Sequence, residues 1–144
     1  MSKNLIIVRG LPGSGKSTIG AKFGVVRSAD DFFVVDGEYL FDPSKIVEAH
    51  AACQAAIRND LNNGDIAVVA NTFCAGWEFT PYLKIAEDTS AAIIVVDLFD
   101  GGLDDEGLAA RNVHGVSADG IGAMRSRWEA DWRSADPRPP WERG

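Results

Sequence analysis

Four short apolar runs punctuate the chain: Leu5-Ile6-Ile7-Val8, Val25-Val26 leading into Arg27-Ser28, Ile66-Ala67-Val68-Val69-Ala70, and Ala92-Ile93-Ile94-Val95-Val96. Each is too short for a helix and hardly alternates with polar residues, so each reads as a strand buried on both faces. Between the runs the apolar spacing becomes helical. Behind Asp42-Pro43, the positions Ile46, Val47, Ala49, Cys53, Ala56, Ile57 and Leu61 predict a helix from Ser44 that Asn63-Gly64 closes. Similar spacing predicts helices from about Lys16 to Phe23, Glu78 to Asp88, Asp105 to Asn112 and Ala118 to Arg133. Asp36-Gly37, between Phe33-Val34-Val35 and Tyr39-Leu40-Phe41, predicts a small hairpin. The Pro-rich stretch Asp136 to Trp141 predicts an extended tail. Buried strands separated by helices imply parallel neighbours joined by crossovers, and the crossovers cover both faces. The predicted fold class is therefore three-layer α/β with a mostly parallel sheet, in one domain spanning residues 1–144.

The 144 residues, 46% of them hydrophobic, suffice for one core of that kind. No apolar stretch approaches the roughly 20 residues that cross a bilayer, and the start lacks a signal-length apolar region, so a cytoplasmic protein without a membrane partner is expected. Cys53 and Cys74 have no Cys-x-x-Cys spacing and read as free thiols. The net charge of -7 argues against binding a polyanion until its distribution is seen. Residues 1–27 carry five basic and no acidic side chains, 28–106 carry three against sixteen, and 107–144 carry six against five. If the two ends of the chain meet at one site, that site is locally positive on an acidic body.

Gly10-Leu11-Pro12-Gly13-Ser14-Gly15-Lys16-Ser17-Thr18 contains Gly-x-x-x-x-Gly-Lys-Ser between a predicted strand and a predicted helix. Glycines at 10, 13 and 15 let the backbone curl so that its N–H groups point inward. Lys16 adds a point charge for the outer phosphates of a nucleotide, and Ser17 offers an oxygen to magnesium. ATP and Mg2+ are the cofactors implied, with Gly10, Pro12, Gly13, Ser14, Gly15, Lys16, Ser17 and Thr18 as the binding loop. Asp30 and Asp31 fall where the second strand should end, on the same sheet edge as the loop. One of these carboxylates can take a proton from an acceptor hydroxyl while the other caps the following turn. Arg111-Asn112-Val113-His114-Gly115 lies on and just after a helix that could close as a lid, with Arg111 stabilising the transferred charge.

Together these residues resemble the polynucleotide-kinase-like group of small P-loop kinases, which includes phage DNA and RNA end kinases. The resemblance rests on Arg9 to Thr18, Ser28-Ala29-Asp30-Asp31-Phe32-Phe33, Phe41-Asp42-Pro43, His50 through Gln54, Asn71-Thr72, Trp77-Glu78, Pro81-Tyr82, and Arg111 through Glu129. It implies a central P-loop strand beside the third strand, Asp30 as general base, Arg111 on the phosphates, and a nucleic acid as acceptor. Two positions depart from the group. Phe33 stands where end kinases carry an arginine, and Ala70 stands where the group has a carboxylate near the metal. Magnesium would then rely on Ser17, phosphates and water.

Phe32, Phe33, Phe73 and Trp77 all fall near the ligand edge and could stack an extracted base. Phage 5-hydroxymethyluracil DNA kinases are similar P-loop proteins. Asp31, Phe32, Phe33, Asn71, Trp77 and His114 are the candidates for the acceptor side. The other readings are a 5'-hydroxyl polynucleotide kinase, a small-molecule or nucleoside kinase, and a non-catalytic nucleotide-binding ATPase module favoured by Ala70.

Overall fold

A computed structural model describes residues 2–143. Its central sheet has the order β2 (Val26–Arg27), β5 (Ile66–Asn71), β1 (Lys3–Gly10), β6 (Ala91–Phe99), with every neighbour parallel. The strand before the loop is thus central and adjacent to the third strand, as the resemblance implies. Strands β3 (Val34–Val35) and β4 (Glu38–Tyr39) form the antiparallel hairpin. Its turn needs left-handed backbone at Asp36 (φ 52) and Gly37 (φ 80), which these two residue types tolerate.

Alternation within β1 sends Leu5 and Ile7 to one face and Ile6 and Val8 to the other. On the first face, α2 (Ile46–Asn63) inserts Cys53, Ile57 and Leu61, and α3 (Thr80–Thr89) inserts Tyr82, Ile85 and Ala86. Burying Ile57 and Leu61 stabilises the fold by about 1.5–3 kcal/mol each. The second face carries α1 (Lys16–Gly20), which stops three residues before the predicted Phe23. A side chain at Gly20 would press on Val26 and Val68, so helix and sheet approach closely there. Phe23, Val25 and Ile94 consequently stay exposed.

Beyond β6, α4 (Asp105–Arg111) and α5 (Ala118–Ser126) enclose Leu11 between Leu108 and Ile121. Helix α5 ends well short of the predicted Arg133. The amide of Glu129 donates to the Cys74 carbonyl at 2.7 Å, and the Glu129 carbonyl accepts from Arg9 at 3.0 Å, so this stretch is tied to the end of β5. The tail is folded back rather than extended: the Asp136 carboxylate accepts from the Arg138 amide and guanidinium, and Pro140–Glu142 form a 3-10 turn. Among the described residues no helix is long and apolar enough to cross a membrane.

Candidate active site

The loop after β1 takes its shape from glycine. Gly13 (φ 86) and Gly15 (φ 100) are left-handed, and a side chain at Gly13 would collide with the Leu108 carbonyl of α4. The loop is anchored where Leu11 N donates to Phe99 O at 2.8 Å and Ser14 N to Leu11 O at 3.1 Å. Helix α1 has no side-chain N-cap and no acidic residue in its first turn, so its first N–H groups remain free for an anion. Ser14 Oγ is buried with no partner. Lys16 Nζ reaches only the Leu11 carbonyl, at 3.1 Å, and burial pushes its ammonium down to about 8, an effect partly opposed by Asp30. Free amides, an orphaned hydroxyl and a desolvated cation together fit a chain of phosphates. For magnesium the loop offers Ser17. Ala70 lines the cavity without a carboxylate, and the described residues hold no cluster of three or more metal-ligating side chains.

The loop opens into a cavity of about 470 Å³ shared by Lys16, Ser17, Thr18, Asp30, His50, Arg111 and His114. Asp30 reaches it because the 3-10 turn Ala29–Phe33 is capped by a reciprocal pair. Ser28 Oγ accepts from Asp30 N at 3.2 Å, and Asp31 Oδ2 accepts from Ser28 N at 3.0 Å. Asp31 is therefore occupied as the cap, which leaves Asp30 facing the loop. Asn71, expected on the acceptor side, lines the cavity but uses its Oδ1 to accept from Ala29 N at 2.9 Å and Ser28 Oγ at 3.3 Å. It clamps the end of β2 onto β5 and so fixes the turn that carries Asp30.

Arg111 lies exposed at the end of α4 and lines the cavity mouth. Arg125 secures this lid region through Asp100 at 2.8 Å, Asp105 at 2.9 Å and the Leu103 carbonyl at 3.0 Å. His114 Nε2 stands 3.4 Å from Asp30 Oδ2, and the Tyr39 hydroxyl donates to Asp30 Oδ1 at 2.9 Å.

The aromatic set expected to grip a base is largely spent elsewhere. Phe73, 2% exposed, packs on Phe79 and Tyr82 in the core, and Phe33, 4% exposed, packs among Phe32, Tyr39 and Phe41. Trp77 meets Trp141 at 5.2 Å between ring centroids and does not line the cavity. Phe32 is half-exposed on a neighbouring groove. Phe33 nonetheless borders the cavity, joined there by Tyr39, which the hairpin folds back onto Asp30, and by Phe41, both absent from the sequence-based set. The Asp36-Gly37 turn was the available signal for this.

The two ends of the chain do meet, but not to make a positive site. Arg9 is fully buried: it donates to Phe73 O at 2.6 Å and Glu129 O at 3.0 Å, pairs with Asp97 at 3.1 Å, and stacks 3.9 Å over Trp128. Arg27 pairs with Asp60 at 2.8 Å and Lys3 donates to the Leu61 carbonyl. Of the five basic residues before Ser28, Lys16 is the one lining the cavity, where it and Arg111 face Asp30 and Glu78.

This geometry has counterparts among known proteins. No family model matches the chain. Human NEDD4-binding protein 2 is 30% identical over 133 residues, covering 87% of this chain but 8% of that protein. A solved chain of the Pnkp1/Rnl/Hen1 complex superposes with a TM-score of 0.60 at 23% identity, over 76% of this chain and 39% of that one. A candidate kinase from Chloroflexus aurantiacus J-10-fl gives 0.62 at 20% identity, over 88% and 77%. The chain thus has the α/β fold of P-loop kinases, and it spans a small fraction of the curated relative it matches.

Proposed function

We propose that this chain is an ATP-dependent phosphotransferase that moves the terminal phosphoryl group to a hydroxyl acceptor. One observation carries the reading: Asp30 and the Lys16 loop face each other across a single cavity, close enough for Asp30 to oppose the effect of burial on Lys16. The loop amides and Lys16 would hold the outer phosphates of ATP, and Ser17 would supply a protein oxygen for a magnesium ion, which would offset their charge. Asp30 removes the acceptor proton, and Arg111 meets charge on the transferred group from the lid side.

For the acceptor we favour a hydroxyl on nucleic acid, first the hydroxymethyl group of 5-hydroxymethyluracil in DNA. The half-exposed Phe41, with the ring face of Tyr39, gives the cavity mouth an aromatic surface for a flat ring. The 5'-hydroxyl reading is weakened by Phe33, which is buried where end kinases carry an arginine. The few free cations at the cavity suit contact with a short stretch of nucleic acid or with a small molecule, which keeps the nucleoside or small-metabolite reading next in order. Ala70 favours the remaining alternative, a non-catalytic nucleotide-binding module.

The test is incubation with γ-labelled ATP, magnesium and three acceptors: DNA containing 5-hydroxymethyluracil, a 5'-hydroxyl oligonucleotide, and free nucleosides. Label on the modified base supports the favoured reading. Label on the strand end or the nucleoside replaces the acceptor but keeps the kinase, and ATP bound with no label transferred leaves the binding module.

A further inference from the structure

Asp30 is bonded by the Tyr39 hydroxyl on one side and approached by His114 on the other, and the proton removal described above uses neither group. The β3–β4 hairpin brings Tyr39 back over the 29–33 turn, where its hydroxyl donates to Asp30 Oδ1 at 2.9 Å. From the lid, His114 Nε2 approaches Asp30 Oδ2 at 3.4 Å. The Tyr39 and His114 rings also meet, with centroids 4.4 Å apart, so hairpin and lid converge on one carboxylate.

The loop presenting His114 is internally pinned. Asn112 Oδ1 accepts from His114 N at 3.2 Å and Val116 N at 2.9 Å, while its Nδ2 donates to Ala109 O and Val116 O, both at 2.9 Å. Burial and the bond to Asp30 raise the Tyr39 phenol, which keeps it a donor. The other titratable or charged side chains of the cavity are Lys16, His50, Glu78 and Arg111. The two cations are donors. Burial lowers the basicity of His50, and it is His114, 36% exposed at its side chain, that approaches Asp30.

We propose that Tyr39 and His114 are positioning residues for Asp30: Tyr39 fixes the rotation of the carboxylate, and His114 receives the proton that Asp30 removes. The proposal rests on the phosphotransferase reading. A carboxylate oxygen has two lone pairs, so Oδ2 can accept from an acceptor hydroxyl and, once it carries that proton, donate to the free Nε2 of His114 across the present 3.4 Å gap. As the acceptor oxygen bonds to the γ-phosphorus, the bond from that phosphorus to the bridging oxygen breaks, and ADP leaves with the electron pair. The acceptor proton passes to Asp30 Oδ2 and then to the Nε2 lone pair of His114 in its Nδ1-protonated form, and the imidazolium releases it to water. The 3.4 Å separation is longer than a proton-transfer contact, as is common before substrates close a site.

The experiment measures kcat and KM for ATP in His114→Ala, His114→Gln and Tyr39→Phe on whichever of the three acceptors the wild-type chain labels. His114→Ala should lower kcat by about 100-fold with KM for ATP nearly unchanged. Added imidazole should restore part of that loss in His114→Ala, but not in His114→Gln, whose amide fills the slot without taking a proton. Tyr39→Phe should lower kcat with no response to imidazole. Wild-type kcat in His114→Ala, or a loss that imidazole leaves untouched, overturns the relay alone. A wild-type chain that labels none of the acceptors removes the phosphotransferase reading and the relay with it.

Discussion

Raising the pH should weaken ATP binding through a single side chain. Burial holds the Lys16 ammonium at about 8 against an ordinary 10.5, with Asp30 offsetting part of that effect. Phosphates in the cradle favour the charged form and pull the value back up, so above about pH 8 the empty site must take up a proton as ATP binds. The apparent Kd then grows almost tenfold for each further pH unit, or about 30-fold between roughly pH 7 and pH 9.5, which is about 2 kcal/mol. The sign for folding follows from the same shift. The unfolded lysine keeps its proton longer, so the empty protein gains stability as pH rises from about 8 toward 10.5. Calorimetric titration of ATP at several pH values, in buffers of different ionisation enthalpy, reads both the affinity and the proton uptake. Lys16→Arg provides the control, because a guanidinium stays charged throughout the range. Wild-type affinity that is flat across the range, or a Lys16→Arg affinity that falls in step with it, would refute a desolvated lysine as the phosphate contact.

Asp30→Asn should reduce transfer by at least about 100-fold while ATP affinity changes little; a variant as active as wild type removes Asp30 from the mechanism. Arg9→Met would leave the Phe73 and Glu129 carbonyls without their donor, at a cost of about 1–3 kcal/mol each or about 4 kcal/mol together. With a slope of about 2 kcal/mol per M urea, the midpoint should drop by about 2 M, and an unchanged midpoint would mean that the buried guanidinium contributes nothing net. Burial pushes the Cys74 thiol up to about 11 and raises Cys53 as well, so near neutral pH a thiol reagent should label both only on unfolding. Rapid labelling of the native protein at either position would show that its site opens.

What the sequence made legible was set by neighbours close along the chain. The glycines of the loop announce backbone that other residues rarely adopt, and the strand runs announce burial on two faces, so the fold and the shape of the loop could be read directly. Side chains whose role depends on a distant partner could not. Nothing near Arg9 reveals that its guanidinium will be consumed by carbonyls 64 and 120 positions away, and a count of basic residues mistakes it for part of a charged site. The placement of Trp77 was hidden for a related reason, since its ring meets Trp141. Phe73 enters the core, and Phe33 is buried while still bordering the cavity, because an aromatic beside a ligand edge is equally suited to the core beneath it. Helix α5 stops early because Glu129 is captured by Arg9 and Cys74, against a local pattern that would have continued.

The choice between Asp30 and Asp31 lies between these cases. Two adjacent carboxylates look interchangeable by composition, yet Ser28 followed three residues later by an acid is a capping signature, and a carboxylate that closes a cap has its oxygens engaged. The sequence leaves the two roles open and the resemblance alone favours Asp30; in the structure Asp31 Oδ2 closes the cap and Asp30 lines the cavity. Asp30 then acquires its remaining partners, Tyr39 and His114, from the hairpin and the lid. If Asp30 is the base, substitutions at Tyr39 or His114 should change the rate of transfer while leaving ATP affinity nearly unchanged.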